Sequence, residues 1–83
     1  MELRLLPLTA VGARLCEGKT RLYRSLHEGI VTPPIRVGNR SAWPAHEIDQ
    51  LVAARIAGFD ADQQRGLVAN LVEQRKSLPS RLA

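Results

Sequence analysis

The apolar positions of the chain fall into short groups whose spacing changes along its length. Val11 and Leu15 lie one helical turn apart, so residues 10–15 read as a short first helix with one inward face. Thr9 stands where a cap belongs and Leu8 where a staple would close the entry. Gly12 inside this helix costs about 1 kcal/mol relative to Ala, and Glu17-Gly18 marks a turn. Leu22 and Leu26 repeat the one-turn spacing over residues 19–28, and Gly29 sits where a left-handed, helix-ending residue is wanted.

The next stretch changes period. Thr32-Pro33-Pro34 breaks any helix, because two prolines remove donors and hold the backbone extended. Ile35-Arg36-Val37 alternates apolar and basic, Gly38-Asn39 suits a tight turn, and Ser41-Ala42-Trp43 returns as a second strand. A lone hairpin is marginal, so it must lean on the helices, with Trp43 as anchor. Residues 3–6 read as a short extended piece alongside it. Pro44 fits the first turn of a third helix, whose apolar stripe is Ile48, Leu51, Val52 and Ile56 before Gly58. Asp60 and Gln63 have the spacing of a capping box. They open a last helix with Leu67, Val68, Leu71 and Val72 on one face, running to about Lys76 before Pro79. The predicted fold is mainly α with a small β-hairpin: a winged helix-turn-helix over residues 1–58, with a C-terminal amphipathic helix and tail over 59–83. That last helix either packs into the same compact unit or serves as an oligomer contact through Leu67, Val68, Leu71 and Val72.

At 83 residues the chain is one small domain by the usual ~100–200 residues per domain, with a thin core. Apolar residues make up 45%, too many for a disordered tail. One cysteine, Cys16, cannot form an internal disulfide or a metal cluster by itself. No apolar run is long enough to span a bilayer and no secretory signal is visible, so the expectation is a cytoplasmic protein without membrane association.

Charge alters the picture more than composition does. The 12 Lys and Arg exceed the 8 Asp and Glu by four, with a pI near 10.2. Residues 14–40 hold six of these cations and only Glu17 and Glu28 as acids, whereas elsewhere the two signs balance. A concentrated basic segment on a small domain points to a polyanion, and to double-stranded DNA in particular. Thr20, Arg21 and Arg24 lie opposite the Leu22/Leu26 face, where a helix entering the major groove would read bases. Lys19, Tyr23 and Ser25 are placed for phosphates, and Arg36, Asn39 and Arg40 for contacts from the hairpin. A charged helix face that is merely solvated is the plain alternative, and a small adaptor holding an acidic protein partner is another. His27 and His46 have no ligand-spaced companions, and Gly18-Lys19-Thr20 lacks the earlier glycine of a phosphate-binding loop. Neither a cofactor, a metal nor a catalytic role is expected.

Lys19-Thr20-Arg21-Leu22-Tyr23-Arg24, Glu28-Gly29, Pro34-Ile35-Arg36-Val37-Gly38, Trp43 and Glu47-Ile48-Asp49 together resemble the AlpA-like and excisionase proteins of phages and integrative elements. These are relatives of the MerR-type winged helix. The match spans roughly residues 3–57. It departs from the family at Glu17-Gly18, where an apolar residue followed by Ser is usual. The resemblance implies one of two non-enzymatic roles. An excisionase, or recombination directionality factor, binds attachment-site DNA side by side with further copies of itself, bends it and steers an integrase toward excision. An AlpA-type protein regulates transcription of mobile-element genes. The excisionase role is the leading expectation.

Overall fold

The computed structural model describes residues 3–78. The elements run β1 (Leu5–Pro7), α1 (Leu8–Leu15), α2 (Lys19–His27), β2 (Ile35–Val37), β3 (Arg40–Pro44), α3 (Ala45–Ile56) and α4 (Ala61–Gln74), closing with a 3-10 turn at Arg75–Ser77. The molecule is mainly helical, with one small antiparallel sheet in the order β1-β3-β2. Met1, Glu2 and the tail expected over residues 79–83 lie outside the described residues.

The extended N-terminal piece does join the hairpin, with Leu6 opposite Trp43 and Leu5 opposite Pro44. Period-two alternation therefore sends Leu6 and Trp43 to one face, onto the helices. Trp43 is fully buried with Val11, Leu22, Ile48, Leu51 and Leu71, and Val31 joins them from the connection after α2. The Trp43 indole Nε1 donates to the Thr32 carbonyl at 2.8 Å, so the ring is buried without an orphaned donor. Gly38 has φ +62° while Asn39 does not enter the left-handed region, which matches a type II′ hairpin turn with Gly first.

Three helices end alike. Each is closed by a left-handed residue followed by a backbone bond reaching back five residues: Glu17 N–H to Gly12 O at 2.8 Å, Ile30 N–H to Ser25 O at 3.1 Å, and Phe59 N–H to Ala54 O at 3.0 Å. Gly29 and Gly58 supply that residue for α2 and α3 as the sequence predicts, but α1 uses Cys16 at φ 55°. The thiol is therefore exposed rather than a core side chain. Gly18, read as part of the turn, instead precedes α2 in extended conformation. Gly12 is required by packing: a Cβ there would stand 2.6 Å from the Glu17 carbonyl oxygen.

Two expected helix starts shift. α1 begins at Leu8 with Pro7 in the capping position, so Thr9 lies inside the first turn and caps nothing. The strand pairing ends at Pro7, and the chain enters the helix with no intervening residue. Pro44 likewise ends β3 and flanks α3 rather than opening its first turn. The capping box of α4 forms as expected, with Gln63 N–H to Asp60 Oδ1 at 2.8 Å and Asp60 N–H to Gln63 Oε1 at 2.9 Å. α4 packs along α3. Leu71 is buried in the core, and Leu67, Val68 and Val72 are half-buried. The face offered as an oligomer contact is thus largely taken by the chain's own core, the hydrophobic effect being satisfied internally.

Candidate nucleic-acid interface

α2 is oriented by what it buries. Leu22 enters the core completely and Leu26 packs against it, which leaves Lys19, Thr20, Arg21, Tyr23 and Arg24 on the solvent side. Tyr23 is 47% exposed, so its ring is available rather than packed away. Among the described residues neither Thr20, Tyr23 nor Asn39 makes a side-chain hydrogen bond. All of the expected base-reading residues, Thr20, Arg21 and Arg24, are exposed at the surface.

Ser25 is the exception. It is 2% exposed, and its hydroxyl donates to both carboxylate oxygens of Glu17, at 2.9 and 3.1 Å. Ser25 is therefore not placed for a phosphate, contrary to the expectation from sequence: it follows Leu22 by three positions and so shares its buried face.

On the hairpin, Arg36, Asn39 and Arg40 are all exposed. Arg36 pairs with Ser41 and Val37 with Arg40. Because neighbouring strand positions alternate, Arg36 lies on the same sheet face as Trp43 while Arg40 lies on the other. The two arginines therefore flank the hairpin rather than forming one flat patch.

Ion pairing sorts the remaining charges. Arg14 pairs with Asp49 (2.8 Å), Arg55 with Glu17 (3.2 Å), Arg65 with Asp62 (2.9 Å), Arg75 with Glu47 (2.7 Å) and Lys76 with Glu73 (3.2 Å). Arg21 sits at the limit, its Nε 3.8 Å from Glu17 Oε2. Lys19, Arg24, Arg36 and Arg40 have no carboxylate within 4 Å among the described residues. Internal pairing thus neutralises α1, α3 and α4 and leaves uncompensated cations on α2 and the hairpin. Arg4, ahead of β1, is likewise unpaired among the described residues.

Sequence reasoning missed the residues that hold these elements. The Glu47 carboxylate is fully buried and receives Arg75 through two bonds of 2.7 Å, from Nε and Nη2. Arg75 Nη2 also donates to the Pro33 carbonyl at 2.8 Å, and Arg65 Nε to the Glu28 carbonyl at 2.9 Å. A signal existed for the first pair. Glu47 interrupts the apolar stripe before Ile48 and Leu51, and Arg75 follows Leu71 by one turn; an acid and a base on inward faces call for each other. Glu17 carried no comparable signal, because it lies in a turn without periodicity.

Among the described residues no group of three His, Cys, Asp or Glu side chains could hold a metal ion, and no helix is long and apolar enough to cross a membrane. No family profile, curated protein or solved structure matches the chain.

Proposed function

We propose that the protein binds double-stranded DNA sequence-specifically as a winged helix-turn-helix, with α2 in the major groove and the β2–β3 hairpin as the wing. One observation carries this reading: Lys19, Arg24, Arg36 and Arg40, on these two elements, are left without carboxylate partners while nearly all other described cations are paired. A merely solvated surface has no reason to segregate its charge in this way, since exposed pairs form wherever opposite signs are near.

In this reading Thr20, Arg21 and Arg24 face base edges, and Lys19 and Tyr23 hold the flanking phosphates. The hairpin enters a groove edge-on, so that Arg36 and Arg40 on its opposite faces meet opposite walls. The resemblance to excisionases supports a role in directing an integrase on attachment-site DNA. Cooperative binding with further copies of the chain would have to come from a surface other than the buried face of α4. Regulation of mobile-element transcription is the alternative within the same DNA-binding reading.

The test is titration of the protein with duplex DNA across salt concentrations. Four engaged phosphates give log affinity against log salt a slope of about −4. Arg40→Ala flattens the slope by about one for every sequence, whereas Arg21→Ala costs about 1–3 kcal/mol on the preferred site only. Absence of duplex binding at physiological salt, with retention of an acidic polypeptide, would instead establish a protein adaptor. With DNA binding established, a rise in excised product when the protein is added to its integrase and attachment site supports the excisionase role. A promoter response without that rise supports the regulator.

A further inference from the structure

We infer that Glu17 is a positioning residue that aims Arg21, making Arg21 rather than Arg24 the principal source of base discrimination. The inference rests on the DNA-binding reading. Glu17 lies in the turn between α1 and α2, and its side chain is only 8% exposed. Its carboxylate is fixed by the Ser25 hydroxyl and by Arg55 Nη1 at 3.2 Å. Its backbone is locked as well, by the N–H bond to Gly12 O and by the close approach of its carbonyl to Gly12. Glu17 is therefore a rigid acceptor whose charge Arg55 already balances, so it does not need Arg21 in order to be buried.

Arg21 nevertheless approaches it, one helical turn on, through Nε at 3.8 Å, while the Arg21 side chain stays 68% exposed. At 3.8 Å the pairing is an electrostatic attraction rather than a hydrogen bond; it biases the guanidinium toward the turn through its Nε side and leaves the Nη1/Nη2 fork for solvent or ligand. That fork is the part of arginine that matches the O6/N7 edge of guanine. Restraining it before binding lowers the side-chain entropy lost on recognition. It also holds the charge back from neighbouring phosphates, which an unrestrained arginine would contact regardless of sequence. Arg24 has no such carboxylate within 4 Å among the described residues, so it remains free to follow the backbone.

The experiment selects bound duplexes from a randomised pool with the full chain, comparing wild type, Glu17→Gln, Arg21→Lys and the double variant. Wild type should prefer guanine at one position roughly tenfold, within the range of a bidentate arginine. Glu17→Gln should reduce that preference to about threefold or less while tightening binding to the pool as a whole, because one negative charge near the phosphates is gone. On the Arg21→Lys background, Glu17→Gln should leave every preference unchanged. Retention of the full guanine preference by Glu17→Gln overturns the inference. Should that variant fail to fold, side-chain NMR of the wild type carries the test. The Arg21 Nε–H order parameter should exceed that of Arg24 in the free protein and change little on addition of DNA, while the Nη resonances move; an Arg21 side chain as mobile as Arg24 overturns it. DNA binding by the wild type with no preferred base also defeats the inference and leaves the DNA-binding reading standing. No duplex binding at all defeats that reading, and the Nε–H signal of the free protein still reports the Glu17–Arg21 contact.

Discussion

Replacing Arg75 by Ala tests the physics of the fold where it is most exposed to failure. The Glu47 carboxylate is fully buried at the start of α3, and Arg75 supplies two bonds of 2.7 Å to its two oxygens. Removing one partner of a buried ion pair costs about 3–5 kcal/mol, because the other charge is left uncompensated. Arg75→Ala also frees the Pro33 carbonyl, which is a smaller loss because that bond is exposed. A domain of this length has a total stability of only about 4–12 kcal/mol, so the variant should sit near the edge of unfolding. In urea, a slope of about 1 kcal/mol per molar for a small protein places its midpoint about 3 M or more below wild type. The double variant Glu47→Met with Arg75→Met removes both charges and should recover most of that loss, since apolar replacement of a buried pair is often neutral. A midpoint for Arg75→Ala within about 0.5 M of wild type, equivalent to about 0.5 kcal/mol, would refute the reasoning. It would mean that the Glu47 carboxylate is solvated in solution.

Other changes separate local causes. Gly12→Ala gains about 1 kcal/mol of helix propensity, yet its Cβ would stand 2.6 Å from the Glu17 carbonyl oxygen. It should lose about 1–3 kcal/mol net, and an unchanged or raised Tm contradicts the close approach. Ser25→Ala should cost about 1.5–3 kcal/mol for the lost bond to the Glu17 carboxylate, with affinity for random duplex DNA per folded molecule unchanged; a clear loss on random duplex would return Ser25 to the interface. Cys16→Gly should raise stability by up to about 1 kcal/mol in thermal unfolding, because the left-handed backbone at φ 55° strains any residue with a Cβ. A fall in Tm would show that the thiol makes contacts in the fold.

The order of elements was legible because each has a local cause. Leu22 and Leu26 at one-turn spacing, the Pro33-Pro34 break, Gly38 at the hairpin turn and the Asp60/Gln63 box each act within a few residues of themselves. The outward face of α2 followed from the same periodicity, since fixing Leu22 inward fixes Thr20, Arg21 and Arg24 outward. What escaped were long-range polar contacts. Glu17 meets Ser25 and Arg55 across 8 and 38 positions, and Arg75 meets Glu47 across 28. No spacing rule reaches so far. Ser25 escapes for a simpler reason: it is a small polar side chain on an apolar stripe, and its position beside Leu22, not its chemistry, decides where it points.

The C-terminal helix bears on the candidate interface through the connection between α2 and the hairpin. Residues 28–34, which join α2 to the hairpin, contain no regular element, and their backbone groups need partners wherever water is excluded. Three successive carbonyl anchors are supplied by distant side chains: Glu28 by Arg65, Thr32 by Trp43 and Pro33 by Arg75. Two of the three come from α4 and the turn that follows it, so this region straps down the connection that sets the spacing of α2 and the hairpin. Pre-setting that spacing removes an ordering cost from binding. Arg65→Ala isolates the effect, because Arg65 is half-exposed and its loss should cost little stability. If the binding-competent spacing then falls to about one third of the population, affinity for DNA falls about threefold. The salt slope should not change, because Arg65 touches no phosphate. A slope flatter by about one would place Arg65 on the DNA instead, and the strap would have no part in binding.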